Sequence, residues 1–250
     1  MSEITDIEVL VVDDEDVVLG ALARILSASG VAHRTTQSAE DALDEILRQP
    51  PDMLLADIKL PGKSGLDLVR ICAERFPAIV SVCMTGYANA EHVLLSLESG
   101  AVDFVPKPFT VEEIVGTLTR AARLTGKRAQ AKVPDNYYLL DGHSWLRPED
   151  DGTVTLGLMP DYMSTLAPVV SIDVPAPNTM MRQGGVLTSI TTDAGYVHRV
   201  WSAAGGRVEQ ANQRLASEPG LAVWSPFKEG WIASVMPTSL DDEIARLQHA

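Results

Sequence analysis

The sequence predicts two folded parts, a doubly wound parallel α/β sheet in the first half and an all-β sandwich or small barrel in the second. Three observations predict this. Short apolar runs alternate with helix-spaced apolar residues five times up to about residue 125. GKRAQAKVPDN, from Gly126, then breaks all periodicity and reads as a linker. Beyond it come only short β-prone runs separated by Gly, Pro, Asp and Asn.

The elements follow in order. IEVLVVD, from Ile7, is apolar almost throughout, as a strand covered on both faces must be. Val18, Ala21, Leu22 and Ile25 then recur at helical spacing until Gly30 stops the helix. Further strands are expected at Ala32 to Thr36, MLLAD ending at Asp57, IVSVCMT ending at Thr85 and DFVP ending at Pro106. Helices are expected at Ala39 to Arg48, Gly65 to Phe76, Ala90 to Ser99 and Val111 to Leu124. In the second half TVTLGLM, PVVSIDV, GGVLTSI, GYVHRVWS, GRVEQA and GWIASV are the strand candidates, and LDDEIARLQ is a short terminal helix. Asp193, Ala194 and Gly195 read as a hairpin tip, since tight hairpin turns need the positive φ that such residues supply. The expected boundaries are 1–125, a linker at 126–136, a β domain at 137–237 and a helix or tail at 238–250.

Composition narrows the function classes. The 250 residues are 46% hydrophobic and 22% charged, the balance of a globular chain. A formal net charge of −14 argues against nucleic acid as a partner, because phosphate backbones are held by clustered Lys and Arg. No apolar run reaches the ~20 residues of a membrane span, and MSEITDIEVL lacks a signal peptide's basic start, so a cytoplasmic protein without a membrane partner is expected. Cys72 and Cys83 sit among apolar residues and read as buried thiols.

In a doubly wound sheet, function collects beyond the carboxyl ends of the strands. That rule gathers Asp13, Asp14, Asp57, Thr85 and Lys107 on one rim. Three carboxylates together repel unless a cation neutralises them, and an all-oxygen donor set suits hydrated Mg²⁺. An ionised Asp there can act as nucleophile toward a phosphoryl group, with Lys107 and Thr85 contacting its oxygens.

VVDDED, LLADIKLPGKSGLDL, VCMTGYA and VPKPF, in this order and spacing, resemble the receiver domain of two-component response regulators over about residues 6 to 125. The resemblance implies a flavodoxin-like five-stranded sheet. It implies Asp57 as phosphoacceptor, Mg²⁺ held by Asp13, Asp14, Asp57 and the backbone carbonyl of Lys59, and Thr85 and Lys107 as readers of the acyl phosphate. Thr85 and Phe104 would be the switch pair, and a sensor histidine kinase or phosphotransfer protein the donor.

HSWLR, GTVTLGL, SAAGGRVEQANQRLASEPGL and SPFKEGWIASV resemble the glycine-cleavage H protein, a lipoyl carrier of barrel-sandwich fold, over about residues 137 to 237. Counting back from Gly206 puts that family's lipoyl lysine at Gly195, and no lysine lies from Thr188 to Gly206. Lipoate is therefore not expected.

Other chemistry finds no support. His33, His92, His143, His198 and His249 show no metal-ligand spacing, and no GxSxG motif marks a nucleophile elbow. Trp145, Trp201, Trp224 and Trp231 read mostly as core. No helix-turn-helix pattern follows residue 125. The expected function is that of a phosphorylated response regulator, without enzymatic turnover beyond self-phosphorylation from small donors and autodephosphorylation. Its output is expected through protein contacts of the second domain with a downstream target that the sequence does not identify, and a homodimer is allowed. The alternative is a metabolic regulator or decoy that imitates the H protein toward lipoate-attaching or glycine-cleavage enzymes.

Overall fold

The computed structural model describes residues 4–86, 89–124 and 133–250. Tyr87 and Ala88 of the VCMTGYA motif, and residues 126–132 of the expected linker, lie outside them. The chain divides into two compact units, residues 1–88 with 94–128, and 89–93 with 129–250.

In the first unit, β1 (Glu8–Val12), α1 (Asp16–Ala28), β2 (Ala32–Thr36), α2 (Ala39–Arg48), β3 (Met53–Asp57), α3 (Gly65–Arg75), β4 (Val80–Thr85), α4 (Ala90–Glu98), β5 (Asp103–Pro106) and α5 (Val111–Ala122) alternate as expected. The five strands form one parallel sheet in the order β2-β1-β3-β4-β5. Its central strands β3 and β4 are buried at every residue, which explains why they are mostly apolar. Val9 and Val11 of β1 share a core with Leu22 and Leu26 of α1 and Ile114 and Leu118 of α5. Helices start where the sequence offers caps. Ser38 and Ser64 accept from the backbone N–H groups of Asp41 and Asp67, and Thr110 forms a full capping box with Glu113.

The second unit continues with β6 (Tyr138–Leu140), β7 (Ser144–Pro148), β8 (Val154–Leu158), α6 (Pro160–Ser164), β9 (Val169–Asp173), β10 (Met180–Met181), β11 (Val186–Thr192), β12 (Val197–Trp201), β13 (Gly206–Ala211), α7 (Leu221–Trp224), β14 (Trp231–Pro237), α8 (Leu240–Ile244) and β15 (Gln248–His249). These make an antiparallel seven-stranded sheet, β10-β13-β14-β8-β7-β6-β15, and a three-stranded sheet, β12-β11-β9. Trp145 and Gly157 face each other across β7 and β8, and a Cβ at Gly157 would fall 2.1 Å from the indole ring. A side chain there would evict the largest residue of this core.

The expected terminal helix forms at Leu240–Ile244, but the chain then runs on. Gln248 pairs with Leu139 and His249 with Tyr138, so residues 238–250 are not a free tail. The tryptophans divide. Trp145 and Trp201 are buried and Trp231 is half-buried, as expected of most of them, whereas Trp224 is 80% exposed on the one-turn helix α7.

Candidate functional site

The rim at the carboxyl ends of the parallel strands is set by register. Val12 lies opposite Ala56, so Asp13 and Asp57, each one residue further on, fall side by side. The chain reverses its winding direction between β1 and β3, where such sheets open a crevice. Thr85 ends the neighbouring β4, and its carbonyl accepts from the Lys107 N–H at 2.8 Å. The peptide from Lys107 to Pro108 is cis.

Asp13, Asp57 and Lys107 come together. The Lys107 ammonium donates to Asp13 Oδ2 at 2.5 Å and lies 3.2 Å from Asp57 Oδ1. Asp13 Oδ1 accepts from the Glu15 N–H at 3.0 Å, and Asp57 Oδ2 from the Lys59 N–H at 3.1 Å. Asp13 is fully buried and Asp57 is 4% exposed. Burial pushes the Asp57 carboxyl above its ordinary range; Lys107 and the Lys59 N–H offset part of this, and the charge of Asp13 adds to it. For Lys107, burial disfavours the ammonium, but the two carboxylates outweigh it and hold the group above its ordinary value. An ionised carboxylate kept ready by a fixed cation can attack an electrophile while its neighbours neutralise incoming negative charge.

Thr85, the last residue of β4, and Phe104, within β5 and opposite Cys83, are both buried. Asp14 is exposed. The receiver resemblance implies a divalent cation, and the donor chemistry suits one, because Asp13 and Asp57 supply buried carboxylate oxygens that already hold a positive charge between them. The third carboxylate is not drawn in: among the described residues no three Asp, Glu, His or Cys side chains are grouped to hold a metal ion. At Lys59 the described contact is its N–H, not its carbonyl.

Two features of this unit were not read from the sequence. A Cβ at Gly65 would lie 1.9 Å from the Asp57 carbonyl oxygen, so the start of α3 packs directly on the backbone of the phosphoacceptor candidate. Asp103 and Arg120, both buried, form an ion pair at 2.8 Å, and Arg120 also donates to the Val102 carbonyl at 2.7 Å. The signal for the pair was an arginine on the apolar stripe of α5, among Ile114, Leu118, Ala121 and Ala122.

In the second unit the hairpin tip stands where it was expected, between β11 and β12. Gly195 has a φ of +81° and no side chain approaches it. His143 and His198 are buried, the former 5.1 Å from the Tyr162 ring, and join no metal cluster among the described residues. Cys72 and Cys83 are buried free thiols, and burial pushes them up to about 11 and about 12. No described helix is long and apolar enough to cross a membrane.

An all-parallel sheet of this order, with a buried aspartate pair and a lysine at the β1–β3 crevice, defines the receiver class of domain. More particularly, residues 9–119 match the model described as response regulator receiver domain, and residues 137–250 match that described as glycine cleavage H-protein. The chain therefore carries a receiver domain followed by an H-protein-like domain. The DNA-binding transcriptional regulator NtrC of Klebsiella pneumoniae is 33% identical over 111 residues, 44% of this chain and 24% of that protein. The nitrogen assimilation regulatory protein NtrX of Azorhizobium caulinodans is 33% identical over 127 residues, 50% of this chain and 28% of that protein. The crystal structure of the NtrX receiver domain from Brucella abortus is 33% identical, with 46% of this chain and 98% of that chain covered and a TM-score of 0.45. The chain spans about a quarter of the length of these curated relatives.

Proposed function

We propose that this chain is a two-component response regulator, a signalling protein that accepts a phosphoryl group on Asp57 from a histidine kinase or phosphotransfer protein and answers through its H-protein-like domain. The observation that carries the reading is the Asp57 carboxylate, nearly buried at the β3 terminus and sharing the Lys107 ammonium with Asp13. A phosphoryl group adds roughly two negative charges at such a point. An Asp57 oxygen attacks the phosphorus of a phosphohistidine, a P–O bond forms, the P–N bond breaks, and the imidazole nitrogen takes a proton. Lys107 stays within reach of the new oxygens, Thr85 at the adjacent strand end reads them, and Phe104 follows Thr85. Mg²⁺, held by Asp13 and Asp57 with help from Asp14 and the Lys59 carbonyl, would neutralise charge on the transferred group.

Incubation of the full chain with a small acyl phosphate and Mg²⁺ is expected to add one phosphoryl group by intact mass. Asp57→Asn should abolish the addition, as should removal of the divalent ion. Labelling that persists in the Asn variant overturns the assignment. The relatives' printed DNA-binding role is not carried over, since a net charge of −14 disfavours a phosphate backbone as partner.

A second reading is favoured by one observation, the match of residues 137–250 to the H protein without a lysine at the tip. In it, the domain competes with the H protein for lipoate-attaching or glycine-cleavage enzymes. The two readings separate on whether the full chain binds such enzymes equally with and without phosphorylation.

A further inference from the structure

The parallel sheet of the first unit ends on β2, which pairs with β1 alone. The Thr36 carbonyl turns to β1 and accepts from the Asp13 N–H at 3.2 Å. Peptide groups along a parallel strand face its two sides alternately, so Ala32 and Arg34 also turn to β1, and the N–H and C=O groups of His33 and Thr35 point to the open edge. Among the described residues nothing pairs with those peptide groups. Such an edge is a template for one more strand.

The edge lies along the floor of a groove of about 460 Å³. α1 and α2 flank it from opposite faces of the sheet, because the chain reverses direction at β2 and both crossovers are right-handed. The groove is lined by Asp16 from α1 and by Asp41, Asp44 and Glu45 from α2, against one cation, Arg48. Glu45 is neutralised, since it pairs with Arg34 at 2.6 Å and with Arg48 at 3.0 Å. Among the described residues the other three carboxylates have no cationic partner. Asp16 Oδ1 accepts from the Gln37 amide at 2.5 Å, Asp41 Oδ2 accepts from the Ser38 hydroxyl at 2.8 Å, and Asp44 has no described partner. Thr36, which also lines the groove, keeps its Oγ1 buried without a described hydrogen-bond partner. Three like charges and an unmet polar atom beside free peptide groups are answered together by one kind of occupant, a polypeptide backbone that carries ammonium or guanidinium groups.

We propose that the β2 edge is a docking site for a basic, extended segment of a protein partner, which adds a sixth strand to the five-stranded sheet and sets lysine or arginine side chains on Asp16 from one of its faces and on Asp41 and Asp44 from the other. Main-chain hydrogen bonds to His33 and Thr35 hold the segment, and the carboxylates select for its charge. Side chains of a strand alternate between its two faces, which matches acidic groups supplied from both sides of the sheet. A small polyamine would meet the charges but leave the His33 and Thr35 peptide groups unpaired. The docking site shares no residue with the Asp57 rim, so it stands or falls independently of phosphoryl uptake.

The full chain is titrated with a short fluorescent peptide that repeats threonine-lysine-lysine, and binding is read by anisotropy. Two further peptides are compared with it: one has glutamate for lysine, and the other is N-methylated at every residue, which keeps each charge but blocks pairing along an edge. We expect the lysine peptide to bind, the glutamate peptide not to bind, and N-methylation to weaken binding about tenfold. Asp44→Lys should also weaken binding about tenfold, because it sets a like charge against the incoming lysines. Asp150→Lys makes the same change of charge on an exposed turn of the second unit, where screening should keep the loss below about twofold. Absence of binding by the lysine peptide overturns the proposal. So does equal binding of the N-methylated peptide, which would mean that charge alone is read, or an equal loss in Asp150→Lys, which would mean attraction to the acidic chain as a whole. If circular dichroism shows Asp44→Lys to be misfolded, Asp44→Asn, which removes the charge at nearly constant shape, decides by the same criteria.

Discussion

Gly65 and Gly195 stand at the two candidate sites of this chain for opposite reasons. At Gly65 the backbone is ordinary for any residue, but an added Cβ would strike the Asp57 carbonyl oxygen at 1.9 Å. At Gly195 the surroundings are empty and only the left-handed backbone asks for glycine. The first site is sealed by its neighbours, and the second leaves open space beside Gly195. Charge divides the same way. Beside exposed pairs such as Arg70 with Asp67, the receiver unit buries Lys107 with Asp13 and Asp57, and Arg120 with Asp103, whereas in the second unit Arg147 with Glu149, Arg207 with Glu209 and Arg214 with Glu218 are half-buried or exposed. A buried ionic site fixes a reactive group in place.

The largest expected effect tests the buried charge. Arg120→Met strands Asp103 without its partner and should cost about 3–5 kcal/mol in denaturant unfolding, while Arg120→Met with Asp103→Leu should recover most of it. A cost below 1 kcal/mol for the single variant would show that the receiver's buried charge matters no more than a surface pair. Gly65→Ala comes next. Relief of the clash must move the β3 terminus, so a loss of about 3 kcal/mol is expected together with slower phosphoryl uptake at Asp57. Unchanged uptake would mean that α3 does not position the acceptor.

At the open tip the corresponding change is milder. Gly195→Ala should cost about 1 kcal/mol through φ alone, and a loss matching that at Gly65 would erase the contrast between the sites. The smallest effect is pH-dependent. Burial raises Glu243 above its ordinary carboxyl value, against the pull of the Gly205 N–H that donates to its Oε1 at 2.9 Å. A carboxyl raised on folding contributes its stability below its unfolded value, and that contribution is lost as pH rises through the folded value. Glu243→Gln should therefore stabilise the chain at pH 7 by a few tenths of a kcal/mol, discounted because the group is half-exposed, and by nothing at pH 3.5. Stabilisation of equal size at both pH values would exclude the carboxylate charge as its cause.

The parallel sheet was legible because strands buried on both faces are mostly apolar, as MLLAD and VSVCMT are up to their terminal Asp57 and Thr85, Ser81 apart. The rim followed from it, since a strand's end fixes where its next residue points, and Asp13 and Asp57 fell together on register alone. Asp14 did not join them: its neighbour took the inward position, and successive residues at a strand's end face opposite ways. In the second unit β8, β9, β11, β12, β13 and β14 were legible, whereas β6, β10 and β15 were not, because two or three residues carry no period. Which tryptophan would be the exposed one was not legible, because an aromatic side chain signals burial by its chemistry but not by its position, and α7 is too short to show a face.

The pairing of β15 with β6 has a topological consequence. Tyr138 and His249 are cross-strand partners with rings 5.0 Å apart, and the Ala250 N–H reaches the Tyr137 carbonyl at 3.0 Å. The segments around Tyr138 and His249 thus lie about one strand spacing of 4.8 Å apart. Neither strand can be cut from this sheet edge without baring the backbone of the other.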